Sequence, residues 1–120
     1  EVGGVSECLN RPALTLQPLR SWNQFGCGID QQLIEQIYEA IADRSHGGKS
    51  LLDIGYKGAG LDDCWQQCDA GYGGGFHNKS GYPLVNLTAF PDMKNMVAKA
   101  KALGLTPGWY GNNCRCKDMA

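Results

Sequence analysis

The sequence predicts an α/β fold in which short parallel strands alternate with helices. Three observations predict it: an apolar stripe at helical spacing from Ile29 to Ile41, a second from Met93 to Leu103, and short small-residue or apolar segments before, between and after them. The resulting order is β, α, β, long loop, α, β, which is the rhythm of parallel βαβ units.

Arg20-Ser21-Trp22-Asn23 is the first expected strand. The helix over about 30–43 follows: Ile29, Leu33, Ile34, Ile37, Tyr38 and Ile41 recur on one face, Asp30 is placed to cap it, and Ile29 with Ile34 can close a hydrophobic staple. Its interior has no proline or glycine, and Ser45-His46-Gly47-Gly48 ends it with residues that tolerate irregular backbone. Gly58-Ala59-Gly60-Leu61-Asp62 is the second expected strand. The second helix spans Asp92 to Leu103, with Met93, Met96, Val97, Ala100 and Leu103 as its stripe. Lys99 and Lys101 sit at the negative end of its dipole, and Gly104 at the C′ position. Leu105-Thr106-Pro107-Gly108-Trp109-Tyr110 is the third strand, weakened by Pro107.

Composition narrows the function classes. The 120 residues include 17 glycines and 6 cysteines, which suits one ordered, loop-rich unit, either a domain or a piece of one. Eleven basic residues balance 12 acidic ones, and no basic block exists to neutralise a run of phosphates, which excludes nucleic acid as the expected partner. No stretch is long and apolar enough for a transmembrane segment. Glu1-Val2-Gly3-Gly4 lacks the features of a signal peptide, so the expectation is a mature product or a trimmed fragment.

Cys8, Cys27, Cys64, Cys68, Cys114 and Cys116 form an even set, but spacing alone cannot choose a connectivity. Two glycosylation sequons, Asn78-Lys79-Ser80 and Asn86-Leu87-Thr88, point with the cysteines to secretion or another oxidising compartment. A zinc site is disfavoured, because Cys64-x3-Cys68 and Cys114-x-Cys116 are not the common knuckle spacing; no metal and no cofactor is expected.

The loop 66–90 is long for a compact domain and is read as a surface excursion around Gly71-Tyr72-Gly73-Gly74-Gly75. It is no dinucleotide fingerprint, since Phe76 stands where the third glycine belongs and no helix follows. Residues 1–120 are taken as a single unit. Three parallel strands with only two helices leave a sheet poorly covered, and as part of a (β/α)8 barrel of about 250 residues the chain holds less than half. Such a unit exposes an open edge that the rest of a barrel or other subunits must cover.

Asp62-Asp63-Cys64-Trp65, at the C-terminal end of the second strand, is the most informative tetrapeptide, because barrel active sites assemble at that end. Two adjacent carboxylates suit acceptance from sugar hydroxyls. They do not suit a glycosidase acid and nucleophile, which must flank the scissile bond. A turn or helix-capping role fits the same pair. Trp22 reads as core aromatic or as sugar-stacking platform, Tyr110 stands at a strand end, and His46 and His77 read as solvated loop residues.

Several blocks resemble the N-terminal part of family 27 glycoside hydrolases, the α-galactosidases and α-N-acetylgalactosaminidases. These are Leu9-Asn10-Arg11-Pro12-Ala13-Leu14-Thr15, Trp22-Asn23-Gln24-Phe25-Gly26-Cys27-Gly28-Ile29-Asp30 and Leu52-Asp53-Ile54-Gly55-Tyr56-Lys57 leading to Leu61-Asp62-Asp63-Cys64-Trp65. Phe90-Pro91 and Gly104-Leu105 leading to Gly108-Trp109-Tyr110 continue them. The resemblance implies a partial (β/α)8 TIM barrel, roughly its first three strands and two helices with a long Gly-rich loop, from an enzyme acting on terminal α-galactosides with retention. By position, Trp22, Asp62, Asp63 and Tyr110 match substrate-pocket residues, and Cys27 and Cys64 match a disulfide pair. Cys114 or Cys116 matches the first cysteine of a second bridge, whose usual partner lies beyond Ala120.

Departures carry equal weight. The family's nucleophile and acid/base aspartates have no counterpart in these 120 residues, Asp118 is not in the nucleophile motif, and Leu19 stands where a pocket-adjacent tryptophan is usual. The segment after Tyr110 lacks its customary acidic residue. The expectation is no catalytic residue and no hydrolysis by the chain alone; the alternative is a truncated homologue serving as a structural or sugar-binding subunit. A small disulfide-rich module of independent fold does not explain the ordered blocks.

Overall fold

The computed structural model of the chain describes residues 19–112 and 115–117. Cys8, Cys114, Asp118 and the block from Leu9 to Thr15 lie outside the described residues. Three strands, β1 (Leu19–Arg20), β2 (Gly58–Leu61) and β3 (Thr106–Trp109), form a parallel sheet in the order β1-β2-β3. Arg20 pairs with Gly60, and Leu61 with Trp109, so the C-terminal ends of neighbouring strands lie side by side.

The first strand is shorter than the sequence suggests. Arg20-Ser21-Trp22-Asn23 is not extended throughout: the strand stops at Arg20, and Trp22–Phe25 forms a single helical turn, α1. Its backbone bonds, Phe25 N–H to the Ser21 carbonyl and Gly26 N–H to the Trp22 carbonyl, close that turn. Four residues are too few for alternation to separate a strand from a helical turn.

The two long helices take their expected places. In α2 (Gln31–Ala42) the Asp30 side chain accepts from the Leu33 N–H at 2.8 Å, and Ile34, Tyr38 and Ile41 are buried. In α3 (Met93–Ala102) Asp92 caps the Asn95 N–H, and Met93, Met96 and Ala100 face inward. Gly104 follows with φ +89°, the left-handed conformation that closes many helices. The helices are tied by polar contacts at their rim: Lys99 pairs with Glu35, while Gln31 donates to Glu35 and accepts from the Asp92 N–H.

Alternation along β2 sorts its residues between two faces. Ala59 and Leu61 are buried with the stripes of α2 and α3, together with Phe90, Leu105 and Trp65. Gly58 and Gly60 face the other way, where the Arg20 stem crosses the sheet; a Cβ on Gly60 would lie 3.3 Å from Arg20 Cγ.

The 66–90 loop is more ordered than a surface excursion. Antiparallel bridges join Gln66 to Val85 and His77 to Pro83, and Phe76, only 2% exposed, meets Trp65 edge-on at 6.0 Å. His77 is half-buried, its ring 4.2 Å from that of Phe76, whereas His46 is solvated as expected. A side chain at Gly71 would force the backbone to shift, since a Cβ would lie 2.6 Å from the His77 carbonyl oxygen and 2.7 Å from that of Gly75.

Two disulfides staple the strand-end loops. Cys27 pairs with Cys64 across 37 residues, and Cys68 with Cys116 across 48. Cys116 is therefore bridged within the chain, and Cys114, the other residue that matches the family's second bridge, lies outside the described residues. In the chain-entropy model each is worth roughly 4 kcal/mol.

Candidate functional site

The C-terminal ends of the three strands frame one cleft. Trp22 stands two residues beyond β1, Asp62 one beyond β2 and Tyr110 one beyond β3, and these three line a cleft of about 420 Å³ with Asp63 and Asn112. That volume lies in the range of small-ligand pockets. All four pocket residues picked out in the sequence are thus neighbours in space. Asn112 is an addition, legible in the sequence only as a polar residue just past the third strand.

Each wall is held from behind. Asp62 N–H donates to the buried Ser21 hydroxyl at 3.1 Å, tying the end of β2 to that of β1. Trp65 stacks on Trp109 with ring centroids 5.2 Å apart, and its Nε1–H donates to the Tyr110 carbonyl at 3.0 Å. Tyr110 N–H in turn donates to the Leu61 carbonyl at 2.9 Å. Cys64 adopts φ +78°, a backbone conformation costly for a non-glycine residue, and its disulfide to Cys27 anchors the turn.

The two carboxylates differ in circumstance. Asp63, 7% exposed, accepts on Oδ1 from Gln66 Nε2 at 2.8 Å and Cys64 N–H at 2.9 Å, and on Oδ2 from Asn112 Nδ2 at 2.9 Å. Burial pushes this carboxyl up, but those donors, with the nearby Arg115 charge, outweigh it and hold Asp63 below the ordinary carboxylate value. Asp62 accepts on Oδ1 from the Asp63 N–H, while its Oδ2 lies 3.6 Å from Arg20 Nη1, an ion pair without a hydrogen bond. Three of roughly four acceptor positions on Asp63 are filled, so Asp62 has more capacity for a new donor. Trp22, 47% exposed, offers an aromatic face beside them.

Among the described residues no group of three or more His, Cys, Asp or Glu could hold a metal ion, and no helix is long and apolar enough to cross a membrane.

No protein-family model matches the sequence. Relatives and solved structures do. α-Galactosidase 2 of Arabidopsis thaliana is 38% identical over 114 residues, covering 92% of this chain and 26% of its own. The crystal structure of α-galactosidase I from Mortierella vinacea is 34% identical and superposes with a TM-score of 0.65 over 82% of this chain and 23% of that one. The α-galactosidase of Saccharomyces cerevisiae solved with raffinose shares the fold at 24% identity, TM-score 0.67, over 85% of this chain and 20% of its own. The chain spans about a fifth of the length of the curated relatives it matches. Parallel strands with their crossover helices make this a partial (β/α)8 barrel, and over most of its length the chain is similar to a segment of the α-galactosidases of glycoside hydrolase family 27.

Proposed function

We propose that this chain, a single unit over residues 1–120, supplies the galactose-binding wall of an α-galactosidase-like pocket and performs no hydrolysis alone. What carries the reading is the convergence of Trp22, Asp62, Asp63, Tyr110 and Asn112 on one cleft at the C-terminal ends of three parallel strands. In this reading Trp22 stacks on the apolar face of a terminal α-galactosyl group, and Asp62 accepts from its hydroxyls. Asp63 is a fixed second acceptor, and Tyr110 closes the side.

A retaining glycosidase needs two carboxyl groups about 5–5.5 Å apart on opposite sides of the scissile bond. Asp62 and Asp63 are consecutive on one wall, and Asp63 is committed to three protein donors, so they do not make that pair. The nucleophile and acid/base come from the remainder of a barrel or from another subunit covering the open sheet edge. A non-catalytic structural or sugar-binding subunit is the second reading, favoured by the unusual Leu19 and by the Arg20 guanidinium beside Asp62. In both readings the chain passes through a secretory or other oxidising compartment, supported by the disulfides Cys27–Cys64 and Cys68–Cys116, with Asn78 and Asn86 as acceptor sequons.

The test is galactose titration followed by NMR at the Trp22 indole. Saturable shifts at millimolar galactose, absent with Asp62→Asn, are expected, together with no turnover of p-nitrophenyl α-galactoside. Turnover by the pure chain, or no shift with any hexose, would overturn the proposal.

A further inference from the structure

The tip of the 66–90 loop holds an arrangement that the sugar cleft does not use. Asn78 opens the tight turn 78–82, in which its N–H donates to the Tyr82 carbonyl and the Gly81 N–H donates back to the Asn78 carbonyl, both at 2.9 Å. Its side-chain Oδ1 accepts from the Ser80 and Tyr82 N–H groups at 2.9 and 3.0 Å, and the whole residue is exposed. With Oδ1 occupied, Nδ2 has no protein acceptor among the described residues. Beside it, Tyr72 and Tyr82 are 71% and 67% exposed, and Lys79 Nζ sits 5.9 Å from the Tyr72 ring centroid. Two exposed aromatic rings on this loop, one of them with a lysine ammonium over it, are a surface suited to being covered.

At the second sequon the Asn86 Oδ1 likewise accepts from main-chain donors, the Thr88 and Ala89 N–H groups at 3.1 and 3.2 Å, but the burial differs. Asn86 is half-buried, its N–H bound to the Trp65 carbonyl and its carbonyl to the Phe90 N–H, both of those residues in the core.

We infer that Asn78 bears an N-linked glycan whose first N-acetylglucosamine lies against Tyr82 and Tyr72. The inference rests on the secretory route proposed above. The donor is a polyprenyl-diphosphate oligosaccharide: Nδ2 forms a bond to the sugar C1, the C1–O bond to the diphosphate breaks, Nδ2 gives up a proton, and the lipid diphosphate leaves. The sugar's C–H face then packs on the tyrosine rings, and the Asn78 turn holds the linkage fixed.

The experiment expresses the 120-residue chain through a eukaryotic secretory pathway and reads intact mass, disulfide mapping and NOEs from the N-acetyl methyl group. The expected result is a glycan at Asn78 that Ser80→Ala removes, methyl contacts to the Tyr82 ring, and a rise in melting temperature on glycosylation that Tyr82→Ala abolishes. Secreted chain with Cys27–Cys64 intact but Asn78 bare overturns this inference and leaves the secretory reading standing. So does a glycan at Asn78 that makes no contact with either tyrosine. Chain recovered with reduced cysteines defeats the secretory reading, and this inference with it.

Discussion

Asn112 donates from Nδ2 to Oδ2 of Asp63 over 2.9 Å, joining residues 49 apart in sequence. The bond links the segment after β3 to the turn after β2, and it secures the more buried carboxylate of the cleft. Gln66 and the Cys64 N–H hold the opposite oxygen, so Asp63 is locked in both position and charge state.

The first prediction concerns that charge state. A carboxyl with a depressed native pKa adds stability that is present above its unfolded value near 3.9 and is lost as pH falls through its lower native value. Asn112→Ala removes a donor and leaves the burial, so the Asp63 pKa rises and the acid-unfolding midpoint moves to higher pH. Carbon-detected NMR titration of the Asp63 carboxyl, compared with Asn112→Asp, checks it. An unchanged Asp63 titration in Asn112→Ala removes Asn112 from this role.

The second prediction concerns the Cys68–Cys116 bridge. It ties the start of the long loop to the turn Arg115–Lys117 that follows the cleft. Cys68→Ser with Cys116→Ser should lower stability by roughly 4 kcal/mol in the chain-entropy model. Denaturant unfolding measures this. Peptide mapping of the oxidised wild type should recover residues 68 and 116 in one cross-linked pair.

How much of this was legible in the sequence depends on how local each cause is. The α2 helix was readable because Asp30, Ile34, Tyr38 and Ile41 report cap and stripe within a few turns. The expected strand overran the end of β1 by three residues because Ser21 is fixed by a partner 41 positions away, the Asp62 N–H, which no local pattern announces. The cleft residues Trp22, Asp62, Asp63 and Tyr110 were found by resemblance and by their places near strand ends. Asn112 was missed because its importance lies in a bond across the sheet, and the Cys68–Cys116 pairing because spacing cannot rank connectivities. The order of Phe76 within a glycine-rich loop was hidden for the same reason: its packing partner Trp65 stands outside the glycine run.

The third prediction tests that loop. Gly71→Ala puts a methyl group 2.6 Å from the His77 carbonyl oxygen, against backbone that cannot swing away as a side-chain tip would. Destabilisation of about 1–3 kcal/mol is expected for such overpacking. Gly73→Ala, with φ +67° but nothing within 4 Å, carries conformational strain without the clash. Thermal melts of the two should rank Gly71→Ala as the more damaging, and the reverse order would refute the assignment of the close approach.

The last prediction concerns how the third strand holds its end of the cleft. Tyr110 is fixed through its main chain: its N–H donates to Leu61 and its carbonyl accepts from Trp65 Nε1–H. Trp65→Phe keeps an aromatic ring in the core but removes the donor, leaving the Tyr110 carbonyl without its bond and reducing the overlap with Trp109. Local opening at Tyr110 should then become easier while α2 stays closed, because the stripe of Ile34, Tyr38 and Ile41 is untouched. Amide hydrogen exchange reads both at once: Tyr110 protection falls in Trp65→Phe, and protection at Tyr38 and Ile41 holds. Equal losses at both places would mean that Trp65 acts only through global stability. The cleft would then owe its shape to the sheet alone.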